Sequence, residues 1–224
     1  SFGQTDMERI LQFHCDDLIR SGLNRFSALS VRDTASADTV ECLIGRRPAV
    51  VCDPVLLYDF SATHTQIRKI KKKYLLVYSY DRWMVTKEEV AAIKAYAKSK
   101  GLITVSAGTY HKWCDRNIVC NPLEWLEYFR SADEVITDTF HGSVLSIITS
   151  RATAYFVHSL NSNKMNSLLN SVGLGDRIMT GITLDEIKRV QSMPEDFAEV
   201  TRKLNEIRAK SDAYLTKALA PEQG

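Results

Sequence analysis

The sequence predicts an α/β protein made of two doubly wound, Rossmann-like domains facing a cleft, the N-terminal one incomplete. Three observations carry this. Short apolar runs alternate with segments of helical periodicity from about residue 26 to residue 173. The strand, helix, strand succession before residue 58 calls for parallel pairing with a crossover helix. Runs such as KYLLVYSYD are continuously apolar, as strands buried on both faces are.

From Asp6 to about Ser21, Met7, Ile10, Leu11, Leu18 and Ile19 recur at helical spacing and Gly22 offers a stop, which predicts one helix. RFSALSVRD then gives a short strand ending at Arg32 and Asp33. TASADTVECLIG reads as a helix capped at Thr34 or Ser36, and PAVVCDPVLL as a second strand. A polar connection covers about 59–73. Next come the strand KYLLVYSYD, the amphipathic helix TKEEVAAIKAYAKSKG with a Thr cap and a Gly stop, and the strand LITVSAG. NPLEWLEYFRSA is a capped helix, EVITD a strand, GSVLSIITS a buried helix, ATAYFVHS a strand and KMNSLLNSVG a helix.

These elements predict three units. Residues 1–58 form the C-terminal half of an N-terminal Rossmann-like domain, and 70–190 a complete C-terminal one. Residues 194–218, apolar at Phe197, Val200, Leu204, Ile207, Tyr214 and Leu215, form a long helix packing back on the first domain. SFGQTDMERI opens on a loop and a helix cap with no strand before it, so the chain is expected to be truncated at its N-terminus.

Composition narrows the classes. With 224 residues, 45% apolar and 25% charged, the chain can build one large or two smaller cores. Lys plus Arg number 29 against 27 Asp plus Glu, so bulk charge makes no case for nucleic acid, which is not expected as a partner. The one basic run, 68–73, reads as a solvated loop or helix end. Five cysteines without a signal peptide fit a reducing interior, and a cytoplasmic location is expected. No apolar stretch approaches the roughly 20 residues that span a bilayer.

In ADEVITDTFHGSVLSII an apolar strand runs into Asp138, Thr139 and His141, and Gly142 with Ser143 opens a buried helix. His141 is thereby placed at a strand's carboxyl end beside a helix N-terminus, where open α/β sheets bind ligands and where N–H groups and the helix dipole favour an anion. The dipole disfavours the imidazolium, so a neutral imidazole there can accept a proton. A structural histidine ending a strand is the alternative. Arg32 ends its strand in SVRD, and its planar fork suits a carboxylate or phosphate, unless it is spent on Asp33 or a helix terminus. Asp53-Pro54 reads first as a turn.

Other patterns carry less. Gly173-x-Gly175 follows a helix and lacks a third glycine, so it reads as a helix stop. His111, Cys114 and Cys120 match no closed zinc set, and no metal is expected. Tyr78, Tyr80, Trp83, Tyr110 and Trp113 follow strand ends and could stack on a sugar ring or pack the core.

The opening SFG and helix, SVRD, DPVLL, VYSYD, VITDTFHGSVLSII and NKMNSLLNSVGLGDR, in this order, resemble the polysaccharide pyruvyl transferase family over nearly the whole chain. The acid-x-Phe-His-Gly turn is the most specific piece. The resemblance implies a fold similar to GT-B glycosyltransferases, and transfer of the enolpyruvyl unit of phosphoenolpyruvate onto two hydroxyls of a sugar in exopolysaccharide or cell-envelope biosynthesis. Phosphoenolpyruvate would be the donor substrate, with no further cofactor. A glycan would be the acceptor, with peripheral membrane association if that acceptor is lipid-linked. Carried over by motif, His141 would assist proton transfer and Arg32 would grip the donor. Asp138, Thr139, Gly142 and Ser143 would line the substrate site, the last two through backbone N–H groups, with Lys164 as a further anion ligand. Well-studied members carry Arg where this chain has Thr139. Two alternatives stand beside this reading: a GT-B-type glycosyltransferase using a nucleotide sugar, and a non-catalytic glycan-binding protein on the same fold.

Overall fold

A computed structural model describes residues 7–80, 82–159 and 162–220. Ser1-Phe2-Gly3, the expected helix start at Asp6, and Asp81 of VYSYD lie outside the described residues. The elements run α1 (Met7–Gln12), α2 (Asp16–Asn24), β1 (Ser30–Val31), α3 (Thr34–Ile44), β2 (Ala49–Val50), α4 (Pro54–Leu57), β3 (Tyr74–Tyr78), α5 (Lys87–Ser99), β4 (Ile103–Ala107), β5 (Arg116–Ile118) and α6 (Pro122–Ser131). They continue with β6 (Glu134–Thr137), α7 (Phe140–Thr149), β7 (Thr153–Phe156), α8 (Ser162–Ser171), β8 (Ile178–Met179), α9 (Leu184–Gln191) and α10 (Phe197–Leu219).

Both sheets are parallel. β1 and β2 form a pair bridged by α3, and the main sheet has six strands in the order β5-β4-β3-β6-β7-β8. The chain winds outward from β3 in one direction and returns to β6 to wind outward in the other. The gap between the ends of β3 and β6 is therefore the topological switch point, where doubly wound sheets bind ligands.

β3 shows why the sheet is buried on both faces. Leu75 and Val77 point into a core with Ile93, Tyr96 and Ile187, under α5 and α9. Tyr74 and Leu76 point the other way, into a core with Leu126, Phe129 and Leu145, under α6 and α7. All four are at most 2% exposed, so every residue of the run is apolar instead of every second one. Each such side chain contributes about 1.5–3 kcal/mol when removed from water.

A third core joins the first segment to the main sheet, with Leu56, Phe140, Val144, Met165, Leu169 and Leu204 packed together. α10 is fastened there by polar contacts as well. Cys52 N–H donates to Ser211 Oγ at 2.9 Å, and Arg208 Nε donates to the Leu56 carbonyl. A fourth, local core holds Ile10, Leu23, Val31, Val40 and Leu43.

Several local expectations need correction. The single helix from Asp6 to Ser21 is two helices, because His14 adopts φ +51° and closes α1. Cys15 N–H bonds the Ile10 carbonyl and His14 N–H the Leu11 carbonyl, the pattern of a left-handed helix stop. α3 is capped by Asp33, whose carboxylate accepts from Ser36 N–H at 2.8 Å and Ser36 Oγ at 3.0 Å, and not by Thr34 or Ser36. PAVVCDPVLL is a strand only at Ala49–Val50. Asp53 then caps the single-turn helix α4 with Pro54 at its first position. α7 begins at Phe140, before Gly142, and the short elements β5, β8 and α9 join the expected set.

Candidate active site

Five side chains converge at the carboxyl ends of β1, β2 and β6. Arg32 follows β1, and its guanidinium ion-pairs with Asp53 beyond β2. Asp53 is buried and already caps α4, which fixes the carboxylate and through it the fork of Arg32. The expected partner Asp33 is instead committed to α3. The Arg32 Cζ lies 5.7 Å from the centroid of the Phe140 ring, and Lys164 Nζ, in the first turn of α8, lies 5.4 Å from the same centroid. His141 meets Phe140 edge to face at 5.6 Å. The phenyl ring is thus the shared surface on which two cations and an imidazole are arranged.

Arg32 and Lys164 are the cations of the site, Asp53 is ion-paired with Arg32, and Asp33 is turned to the cap of α3. Burial, with repulsion from Arg32, pushes the Lys164 ammonium below its ordinary value, while Asp33 and Asp53 oppose that. His141 is open to solvent on one side and crowded on the other. Loss of hydration on the crowded side lowers its pKa, Lys164 and Arg32 lower it further, and Asp53 acts the other way. The imidazole is therefore biased toward its neutral form, the form that can accept a proton. A bound anion would relieve the repulsion between Arg32 and Lys164 and raise the basicity of His141 at the same time.

The residues of the strand-to-helix turn have a different role from the one expected. Asp138, Thr139, Gly142 and Ser143 are all buried. Thr139 caps α7, its Oγ1 accepting from Gly142 N–H at 2.9 Å, and Ser143 N–H bonds the Thr139 carbonyl at 3.0 Å. The two N–H groups expected to hold phosphate are therefore spent inside the helix. Among the described residues the amides of Phe140 and His141 have no acceptor, and they are the ones this terminus offers to an anion. Gly142 is required by space: a Cβ there would lie 2.1 Å from Thr137 Oγ1 and 2.9 Å from Tyr78 Cδ1. Asp138 accepts from Ser79 Oγ at 2.7 Å across the switch point, and its Oδ2 lies 3.0 Å from His158 Nε2. Burial raises the Asp138 pKa, and those two hydrogen bonds work against the rise.

Behind Arg32 a cavity of about 170 Å³ opens between the first segment and α8 and α10, bordered by Arg32, Asp53, Phe140, Leu168, Ile207 and Lys210. The aromatic residues flagged in the sequence divide. Tyr78 packs on Trp125 with ring centroids 4.5 Å apart, Trp83 is stacked on His158 at 4.0 Å, and Tyr110 is exposed. His111 is buried and donates from Nε2 to the Ser79 carbonyl at 3.1 Å. Among the described residues no group of three or more His, Cys, Asp or Glu is placed to hold a metal ion, and no helix is long and apolar enough to cross a membrane. The cysteines are free. Phe140 enters the sequence reading only as a member of the acid-x-Phe-His-Gly turn, with no role of its own, and His158 does not enter it as a site residue. His158 ends ATAYFVHS as His141 ends its own strand segment, and that repeated placement was the available signal.

Comparisons with known proteins agree with this architecture. The chain has a similar fold to a mutant O-GlcNAc transferase of Thermobaculum terrenum (11% identity, TM-score 0.50, 85% of this chain and 43% of that one). It is also similar to a putative UDP-N-acetylglucosamine 2-epimerase of Listeria monocytogenes (10% identity, TM-score 0.50, 88% and 61%) and to the GtfA/B complex (10% identity, TM-score 0.52, 90% and 47%). The chain thus spans between 43% and 61% of the length of these structures, and identities this low speak for the GT-B-like fold alone. A search of curated proteins gives no match. The model of the polysaccharide pyruvyl transferase family matches residues 3–159, which include Arg32, Asp53, the Asp138–Ser143 turn and His158. The chain belongs to the polysaccharide pyruvyl transferase family.

Proposed function

We propose that this protein transfers the enolpyruvyl unit of phosphoenolpyruvate to two hydroxyls of a sugar, in a polysaccharide or its precursor, forming a pyruvate ketal and releasing phosphate. The observation that carries the reading is the arrangement of Arg32, Lys164 and His141 around Phe140. Arg32 and Lys164, brought together over Phe140, suit a small anion that carries both a carboxylate and a phosphate. The fork of Arg32, pinned by Asp53, suits the donor carboxylate or phosphate, and Lys164 the remaining charge. A neutral His141 beside them can take a proton from an acceptor hydroxyl and return it to the methylene carbon of the donor. The amides of Phe140 and His141 supply further donors to the departing phosphate.

The test is a melting-temperature shift with phosphoenolpyruvate beside nucleoside diphosphates. At a ligand concentration about 100 times its dissociation constant, binding adds about 2.7 kcal/mol of stability. A shift with phosphoenolpyruvate that is lost in Lys164→Met supports the reading. A shift with nucleoside diphosphates only would transfer the assignment to a glycosyltransferase using a nucleotide sugar.

A further inference from the structure

The reaction proposed above moves two protons. As the ketal closes, both acceptor O–H bonds break and two C–O bonds form at the central carbon of the donor. One proton ends on the methylene carbon, which becomes a methyl group, and the other leaves with phosphate as its C–O bond breaks. His141 alone would have to serve both transfers.

We propose that His158, oriented by Asp138, is a second proton-handling side chain of this site, an inference that rests on the pyruvyl-transfer reading. His158 Nε2 lies 3.0 Å from Asp138 Oδ2, and Ser79 Oγ donates to the same oxygen at 2.7 Å. An ionised carboxylate can only accept, so Nε2 carries a proton, and in the neutral ring Nδ1 then presents a lone pair. The ring is fixed from two sides. It stacks on Trp83 at 4.0 Å and 28°, and meets Phe156 edge-on at 4.9 Å and 90°. Asp138 is fully buried, whereas the His158 side chain keeps 22% of its surface in solvent. A buried acid behind a partly open imidazole is the arrangement that makes a histidine a base of fixed tautomer.

The pair sits at the same carboxyl edge as His141. Asp138 precedes His141 by three residues, so their Cα atoms are at most about 11 Å apart. Lys164, in the first turn of α8, follows His158 by six residues in the sequence. Among the described residues, the titratable or charged groups around the pair include His111, which reaches it through the Ser79 carbonyl, Tyr78, whose pKa the Asp138 charge helps to raise, Tyr80, whose ring lies 5.3 Å from that of Trp83, and Arg82, placed 5.2 Å from the Trp83 ring. Asp138 acts through His158 as a positioning residue.

Phosphate release from phosphoenolpyruvate, with a panel of methyl hexopyranosides as acceptors and measured across pH, tests this in the parent, His158→Gln, His158→Ala and Asp138→Asn. His158→Gln is expected to lower kcat about 100-fold or more while leaving the KM for phosphoenolpyruvate within about twofold, and to remove one limb of the pH profile. Asp138→Asn should shift that limb and lower kcat less. Unchanged kcat and pH profile in both His158 variants would overturn the inference. So would a ¹⁵N spectrum of the resting protein showing the Nδ1–H tautomer at His158. A parent that releases no phosphate, yet shows the Nε2–H tautomer, would overturn the pyruvyl-transfer reading and with it this role for His158.

Discussion

Arg32 and Asp53 are ion-paired across the carboxyl ends of β1 and β2, the carboxylate only 3% and the guanidinium 23% exposed. Because Asp53 also caps α4, the pair ties the position of the Arg32 guanidinium to local folding. Arg32→Ala would leave a buried carboxylate without its counterion, at a cost of about 3 kcal/mol. Urea unfolding should show this loss. Arg32→Ala combined with Asp53→Asn should be more stable than Arg32→Ala alone, since Asn still caps a helix and carries no charge. Equal stability of the single and double variants would show that the pair has no such cost.

Gly142 and Gly22 should respond oppositely to alanine. At Gly142 the added methyl would meet Thr137 Oγ1, Thr139 Oγ1 and Tyr78 at 2.9 Å or less, whereas Gly22, within α2, has nothing within 4 Å. Thermal unfolding should show Gly142→Ala destabilised by about 1–3 kcal/mol. Gly22→Ala should be stabilised by up to about 1 kcal/mol.

Thr139→Ser should be close to the parent in stability. Thr139→Ala should lose about 1–2 kcal/mol, because it removes the cap and leaves the buried Gly142 N–H without its acceptor. The loss should appear in denaturant midpoints. It bears directly on the substitution of Arg by Thr at this position: Thr139 is a buried cap here, and under the proposed function the charge for the donor would come from Arg32 and Lys164.

The pH dependence of phosphate release should follow the charges around His141. Burial, Lys164 and Arg32 lower its pKa and Asp53 raises it. The acidic limb of the free enzyme is therefore expected below the ordinary imidazole range. Lys164→Met removes a lowering charge and should move the limb to higher pH. Asp53→Asn removes a raising charge and should move it lower. Movement of both limbs in the same direction would break the assignment of that limb to His141.

These features differ in how far local sequence reveals them. β3 is legible because Tyr74 to Val77 are buried on both faces, and α5 because Thr86 and Glu89 form a reciprocal cap. The turn at Asp138–His141 is legible because strand, turn and buried helix follow one another in the chain. The break between α1 and α2 is not, since a left-handed residue at His14 interrupts apolar spacing that runs on unchanged. β5 is an exposed three-residue edge strand and carries no apolar pattern. The contacts that make the site are through-space pairings, Arg32 with Asp53 and Asp138 with His158, each about twenty residues apart in sequence. Local pattern points to the members of such pairs and leaves their partners open. For the same reason local sequence marks Thr139, Gly142 and Ser143 as candidate ligands and leaves out that the Gly142 and Ser143 N–H groups bond Thr139 within the helix cap.

The measurement that bears most directly on the proposed activity is multiple-turnover phosphate release from phosphoenolpyruvate by the parent and by His141→Ala, with and without methyl hexopyranosides. Release should require both an acceptor sugar and His141, falling about 100-fold or more in the variant. Release by His141→Ala at the parent's rate would contradict the assignment of His141, and no release by the parent with any acceptor would contradict pyruvyl transfer by this chain.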